Sequence, residues 1–168
     1  MRRVLLVLWA FLLTYASLCF PFSNIFCPEF ALTFNFKLPE PCMERKNIST
    51  GSKWEPIIGY SRAVRVGNQV FVSGTTGSDA SGKVAGDTYA QTKQALLNIA
   101  SALTQAGAPL ESVVRTRIFM TDISAWEAAG KAHGEIFGDI RPVTTMVEVK
   151  KLISPEMLVE IEADAVIA

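Results

Sequence analysis

The residues that could do chemistry gather toward the C-terminal end of the chain. Glu160, Glu162 and Asp164 alternate with Ile161 and Ala163, so a strand here sets three carboxylates along one face. A carboxylate held beside an electrophilic carbon can take a proton from water as a general base. Like charges in a row more commonly mark a solvent or interface side, and the residues alone leave both readings open for Glu160. Arg115 and Arg117 share a strand face with Phe119 by the same alternation. A guanidinium there could clamp a carboxylate ligand, but an ion pair with an acidic side chain is the favoured reading. His133, the single histidine, falls on a helical stripe with Trp126 and Phe137, where a satisfied core residue is favoured over a catalyst. It has no second histidine or cysteine to complete a zinc site. Gly74 and Gly77 are not followed by Gly-Lys-Ser/Thr, so they make no phosphate loop. No serine-histidine-aspartate order stands out. Neither a metal nor a cofactor is expected.

These residues must be positioned by a small set of elements. Ala63-Val64-Arg65-Val66 and Gln69 to Ser73 flank Gly67-Asn68, which predicts a hairpin. A turn at Ser78 to Gly82 leads to a helix opened by a capping box at Thr88 to Gln91, with an apolar stripe of Ala95, Leu96, Ile99, Ala102, Leu103 and Ala106, stopped by Gly107. Val113 to Thr121 reads as a strand, and Ser124 to Glu127 as a second capping box, opening a helix that ends at Gly138. Val143 to Lys150 and Leu158 to Val166 read as two closing strands. The order β-β-α-β-α-β-β predicts an α+β domain with both helices on one face of an antiparallel or mixed sheet.

At 168 residues and 18.3 kDa the chain has room for one domain. Of its 16 basic and 16 acidic residues, Arg2, Arg3, Lys37, Glu29 and Glu40 lie in the first 42 positions, leaving 13 basic and 14 acidic beyond. All three cysteines, Cys19, Cys27 and Cys42, belong to that leader. A near-neutral remainder gives no electrostatic reason to expect nucleic acid, and its lack of cysteine excludes a disulfide framework or a thiol nucleophile. Residues 1–42 form an apolar leader. Arg2-Arg3 before Val4 to Leu13 fits a signal peptide, and the run to Phe20 reaches the short limit for a membrane span. Ala16-Ser17-Leu18-Cys19 is close to a lipoprotein box, with Leu18 where a small residue is expected. The favoured reading is a start at Met43, giving a cytoplasmic protein; a secreted or membrane-anchored one follows only if the leader is real. Asn47-Ile48-Ser49 matches a glycosylation acceptor but carries almost no weight. A polar lead-in at 43–56 then precedes the domain at 57–168.

Gly59-Tyr60-Ser61, Val72-Ser73-Gly74, Val113-Val114-Arg115-Thr116 and Arg141 to Val149, followed by Leu158 to Ala163, occur in an order and spacing that resembles the Rid (reactive intermediate deaminase, YjgF-like) family. The resemblance runs from about Trp54 to the C-terminus. It implies a chorismate-mutase-like fold and a homotrimer with a small-molecule cleft at each subunit interface. It also implies that Glu160 positions the hydrolytic water, with Tyr60 and Ser73 lining the cleft.

One departure matters. Family members that hydrolyse 2-imino acids carry a Pro-x-Arg step whose guanidinium takes the substrate carboxylate; here Pro142-Val143 is followed by Thr144. A threonine supplies one neutral hydrogen bond of about 1 kcal/mol where a charged one contributes about 1.5–3. The resemblance therefore implies a Rid-like protein that binds a small metabolite, neutral or differently charged, and acts on a substrate other than ordinary 2-imino acids. One alternative is a 2-imino/enamine acid deaminase in which Arg117 replaces the missing arginine. The other is a non-enzymatic trimer that senses a ligand or acts as a chaperone-like partner. Arg141, ahead of the proline, reads as a surface loop charge.

Overall fold

The computed structural model describes residues 43–168; the leader at 1–42, with its three cysteines and its signal, anchor and lipoprotein readings, lies outside the described residues. Six strands form one sheet: β1 (Arg45–Ile48), β2 (Ala63–Val66), β3 (Gln69–Thr76), β4 (Val113–Met120), β5 (Val143–Glu148) and β6 (Val159–Val166). Their spatial order is β1-β2-β3-β6-β4-β5. All neighbours pair antiparallel except β4 and β5, which run parallel. The helices are α1 (Trp54–Ile58), α2 (Thr88–Ala106) and α3 (Trp126–Phe137), with short 3-10 turns at Leu110–Ser112 and Ile123–Ala125.

One face of the sheet is dry. Val70 and Val72 of β3, Ile118 and Met120 of β4, and Val159, Ile161, Ala163 and Ala165 of β6 are buried with Leu96, Ile99 and Leu103 of α2 and Phe137 of α3 in one apolar core. The strict alternation in β6, buried at every second residue, follows from a helix-covered face opposite an open one. Truncating a core residue such as Ile161 or Leu103 costs about 2–5 kcal/mol by the rule for buried leucine and isoleucine.

The ends of α2 are tied down by charge and geometry. Asp87 accepts from the Ala90 amide, so the N-cap is one residue ahead of the expected capping box at Thr88. Gly107 closes the helix in the left-handed conformation at φ 74°. Arg65 of β2 donates to the carbonyls of Ala106 and Gly107, and Lys46 of β1 to that of Gln105. Cations here meet the negative end of the helix dipole. The second expected box also differs. Asp122 caps the 3-10 turn through the Ser124 amide, and α3 follows from Ala125 without a side-chain cap. The lead-in at 43–56 holds β1 and the start of α1, although its residues are mostly polar. Trp126, placed on the buried stripe from its spacing, is 54% exposed; the covered positions of α3 are Ala129, Ala132 and Phe137.

Among the described residues no helix is long and apolar enough to cross a membrane.

Candidate functional site

The open face of the sheet carries the charged side chains. On β6 these are Glu160, Glu162 and Asp164, each half-buried and alternating with the core residues. Two of the three are matched. Arg117 on β4 faces Glu162 in the register and donates to Glu162 at 3.2 Å and Asp164 at 3.1 Å, with Arg115 3.9 Å from Asp164. Arg117 is therefore clamped between two carboxylates of its own chain, the ion-pair reading of that residue rather than a free anchor.

Glu160 stands apart. It makes no ion pair or side-chain hydrogen bond among the described residues. Burial pushes its pKa above the usual carboxylate value of 4.5; neighbouring Glu162 adds to this and Arg62 opposes it. Its side chain lies against Gly74, on a stretch of β3 where the register to β6 shifts between Val72 and Thr75. A Cβ at Gly74 would come 2.9 Å from the Glu160 carboxyl carbon and closer still to Oε1, so glycine here leaves room for the carboxyl where it stands, and a larger residue would displace it. Gly77, read with Gly74 from the sequence, has a different reason: a Cβ there would meet the Gln91 backbone of α2 at 2.5 Å.

Beside Glu160 lies a residue that the sequence reading missed. Ala63 pairs with Val72, both buried, so the preceding Arg62 and the following Ser73 fall together on the other face. The Arg62 Nη1 donates to Ser73 Oγ at 3.2 Å, the Gly74 carbonyl at 2.8 Å and Thr75 Oγ1 at 3.0 Å. Its Nη2 reaches the Tyr60 hydroxyl at 3.4 Å, with the guanidinium 5.6 Å from the centre of that ring. In return Ser73 donates its hydroxyl to the Arg62 carbonyl at 3.1 Å. Tyr60, Arg62, Ser73, Gly74 and Glu160 thus form one cluster. The signal was present: Arg62 follows Tyr60 by two residues, the spacing that puts side chains on one side of an extended chain.

Thr144 is not in that cluster. It pairs with Thr116 in the parallel β4–β5 register, and Thr116, fully buried, belongs to the helix-covered face. The hydroxyls of Thr144 and Thr116 are 2.9 Å apart, and Thr116 lies 3.0 Å from His133 Nε2. Thr144 also donates to the Pro142 carbonyl at 3.1 Å. With that proton committed, one arrangement satisfies the chain: His133 Nε2–H donates to Thr116, which donates to Thr144. Burial lowers the His133 pKa below 6.5, and the ring packs 4.8 Å from Phe137, in accord with a satisfied core histidine. Thr144 and Glu160 therefore occupy opposite faces of the same sheet. Arg141 turns back onto α3, donating from Nε to the Gly138 carbonyl at 3.0 Å. No group of histidine, cysteine, aspartate and glutamate side chains among the described residues could hold a metal ion.

This geometry can be set beside known proteins. The family model described as Endoribonuclease L-PSP matches residues 50–167. An uncharacterized Streptomyces coelicolor protein, SCO2049, is 39% identical over 123 residues, 71% of this chain and 90% of its own length. The 3-aminoacrylate deaminase RutC of Acinetobacter baylyi is 34% identical, covering 66% of this chain and 88% of its own. The crystal structure of Rv2704 from Mycobacterium tuberculosis, a YjgF/YER057c/UK114 family member, superposes with a TM-score of 0.68 at 56% identity, over 74% of this chain and all of that one. The chain belongs to the Rid family, also called YjgF/UK114, and has its chorismate-mutase-like fold.

Proposed function

We propose that this chain binds a small metabolite in a cleft built around Glu160, Tyr60 and Ser73, and that Glu160 serves there as the general acid/base for hydrolysis of a C=N bond. The observation that carries this reading is Glu160 itself, a half-buried carboxyl without a partner among the described residues and with its pKa raised, for which Gly74 leaves space. In its ionised form it takes a proton from water as the oxygen adds to the imine carbon. The C=N electron pair moves to nitrogen, which is protonated; collapse of the carbinolamine then releases ammonia and leaves a carbonyl. The deaminase name borne by the Acinetobacter relative supports the reaction class. Thr144, neutral and tied to Pro142 and Thr116, gives no anchor of the kind that ordinary 2-imino acids use.

The cleft is completed, in this proposal, by a second copy in a homotrimer. Phe71 and Val143 on the open face, 45% and 63% exposed, and Val147 beside them would then be covered. Thr144 and Glu160, on opposite faces of one sheet, could approach a common ligand only from different subunits. The test is hydrolysis of 2-aminoacrylate and 2-iminopropionate, and of a panel of other imines, by the chain from Met43 and by its Glu160→Gln and Thr144→Arg variants. Turnover of a panel imine that Glu160→Gln abolishes is expected, with weak activity on 2-iminopropionate that Thr144→Arg raises about tenfold. Full 2-iminopropionate turnover by the wild type would overturn the inference drawn from Thr144. Inertness to the whole panel would favour a non-enzymatic ligand-binding trimer.

A further inference from the structure

Arg62 has more hydrogen-bonding capacity than its own chain uses. A guanidinium carries five N–H groups. Nη1 is fully occupied by Ser73, Gly74 and Thr75, while Nη2 makes a single long contact, 3.4 Å to Tyr60, and Nε has no partner among the described residues. Nε and Nη2 form one edge of the fork, with the spacing that matches the two oxygens of a carboxylate. The other arginines near the open face, Arg115 and Arg117, face Glu162 and Asp164. Arg62 has no ion pair among the described residues, although it is half-buried. Removing a cation from water without an ion-paired counter-charge is costly; Glu160 and Glu55 act on Arg62 only through space, and its direct contacts are neutral oxygens and the Tyr60 ring. They also hold the side chain in one orientation.

We propose that Arg62 is the anion anchor of the Glu160 cleft, taking the carboxylate of a small organic acid on its Nε–Nη2 edge. The proposal rests on the cleft reading above and narrows it: the ligand is an acid, where Thr144 alone left a neutral or differently charged compound. The anion sits on the β2–β3 side of Glu160, away from Thr144 of the same chain, which lies on the opposite face of the sheet. A carboxylate fits better than a phosphate, because a dianion beside Glu160 would need a second cation, and no other described lysine or arginine bonds within the Tyr60–Arg62–Ser73 cluster.

The experiment is a protein-observed NMR titration of the chain from Met43 with pyruvate, with pyruvamide as the neutral isostere and inorganic phosphate as competitor. Pyruvate is expected to bind at least about tenfold more tightly than pyruvamide, to shift the Arg62 Nε–H resonance, and to resist displacement by phosphate. Arg62→Gln, which keeps donors toward Gly74 but loses the charge, is expected to erase the preference; Arg62→Lys is expected to retain part of it. Equal binding of acid and amide, or a preference that survives in folded Arg62→Gln, overturns the anchor and leaves the cleft standing. Should Arg62→Gln fail to fold, the wild-type resonance decides: a cleft that binds pyruvate without shifting Arg62 Nε–H rejects the anchor. If neither probe perturbs Tyr60, Ser73 or Glu160, the cleft reading fails and the anchor with it.

Discussion

Two stretches of the same strand face, a few residues apart on β6, treat charge in opposite ways. Toward its C-terminal end Glu162 and Asp164 are met by Arg117 and Arg115, so four ionised groups satisfy one another. Toward its N-terminal end Glu160 and the nearby Arg62 make no ion pair with each other or with any described residue. Both stretches are half-exposed in the single chain, so exposure does not separate them. The difference lies in what occupies the space between the charges. Arg117 stands directly across the ladder from Glu162, whereas Arg62 is held by the Gly74 carbonyl and the Ser73 and Thr75 hydroxyls. A self-satisfied network stabilises the fold or an interface; groups held apart are poised for something else.

Exchanging one carboxylate for its amide at each end should separate the two roles. Glu160→Gln is expected to lower C=N hydrolysis by about 10²–10⁴-fold, the usual contribution of a general base, while Glu162→Gln leaves the rate within a few-fold. Steady-state kinetics on whichever panel imine is turned over provides the check. An equal loss in both variants would erase the distinction.

Gly74→Ala attacks the same end through packing. Its Cβ would meet the Glu160 carboxyl, the free end of a side chain that can swing aside, so the carboxyl is displaced at a cost below the ~1–3 kcal/mol of overpacking against a fixed core. Urea denaturation should show a small loss, and imine turnover should fall as the carboxyl moves. At the other end, Arg117→Met is expected to cost only about 0–1 kcal/mol for each partly exposed pair it breaks. A cost of several kcal/mol in the isolated chain would mean that the paired end is more than a surface network.

The pH dependence of stability should differ in sign between Glu160 and Glu55, a carboxyl outside the cluster. With its folded pKa raised above 4.5, chiefly by burial, Glu160 binds its proton more tightly in the folded state. Its contribution to stability is present below the unfolded value and is lost as pH rises through the folded one. Glu160→Gln should therefore be slightly stabilising at neutral pH. Glu55 runs the other way. Hydrogen bonds led by the Ser49 hydroxyl, with the Thr50 amide and hydroxyl, outweigh its burial and hold its pKa below 4.5. Its contribution is present above the unfolded value and is lost as pH falls. Urea midpoints of Glu160→Gln and Glu55→Gln between pH 3 and pH 8 should diverge from wild type in opposite directions.

The elements most legible in the sequence were those with a strong apolar period. The hairpin at Gly67-Asn68, the stripe of α2 and the alternation of β6 each bury one face, and the burial is what writes the pattern. β1 was missed because an edge strand with only Ile48 buried leaves no alternation in Arg45-Lys46-Asn47. α1, five residues interrupted by Pro56, is too short to show a period. The cap at Asp87 was displaced by one residue because Thr88 is also a good cap by type. At the site, residue types pointed to Glu160, and the resemblance supplied Tyr60 and Ser73. The resemblance also supplied Thr144, at the place of the family's arginine; that it lies on the opposite face from Glu160 within one chain could not be read from spacing, which does not reveal which side of a sheet a distant strand presents. Arg62 went unread although its spacing from Tyr60 marked it, because its direct partners, a carbonyl and hydroxyls of β3, leave no further sign in the sequence.

The most direct test of the contrast is a carbon-detected NMR titration of the Glu160 side-chain carboxyl with and without pyruvate. Glu160 is predicted to titrate above 4.5 and to change its midpoint when pyruvate is added, while pyruvate leaves the carboxyl resonances of the ion-paired Glu162 and Asp164 unmoved. A Glu160 midpoint that is not raised and is indifferent to pyruvate would contradict the assignment of this carboxyl as the functional group.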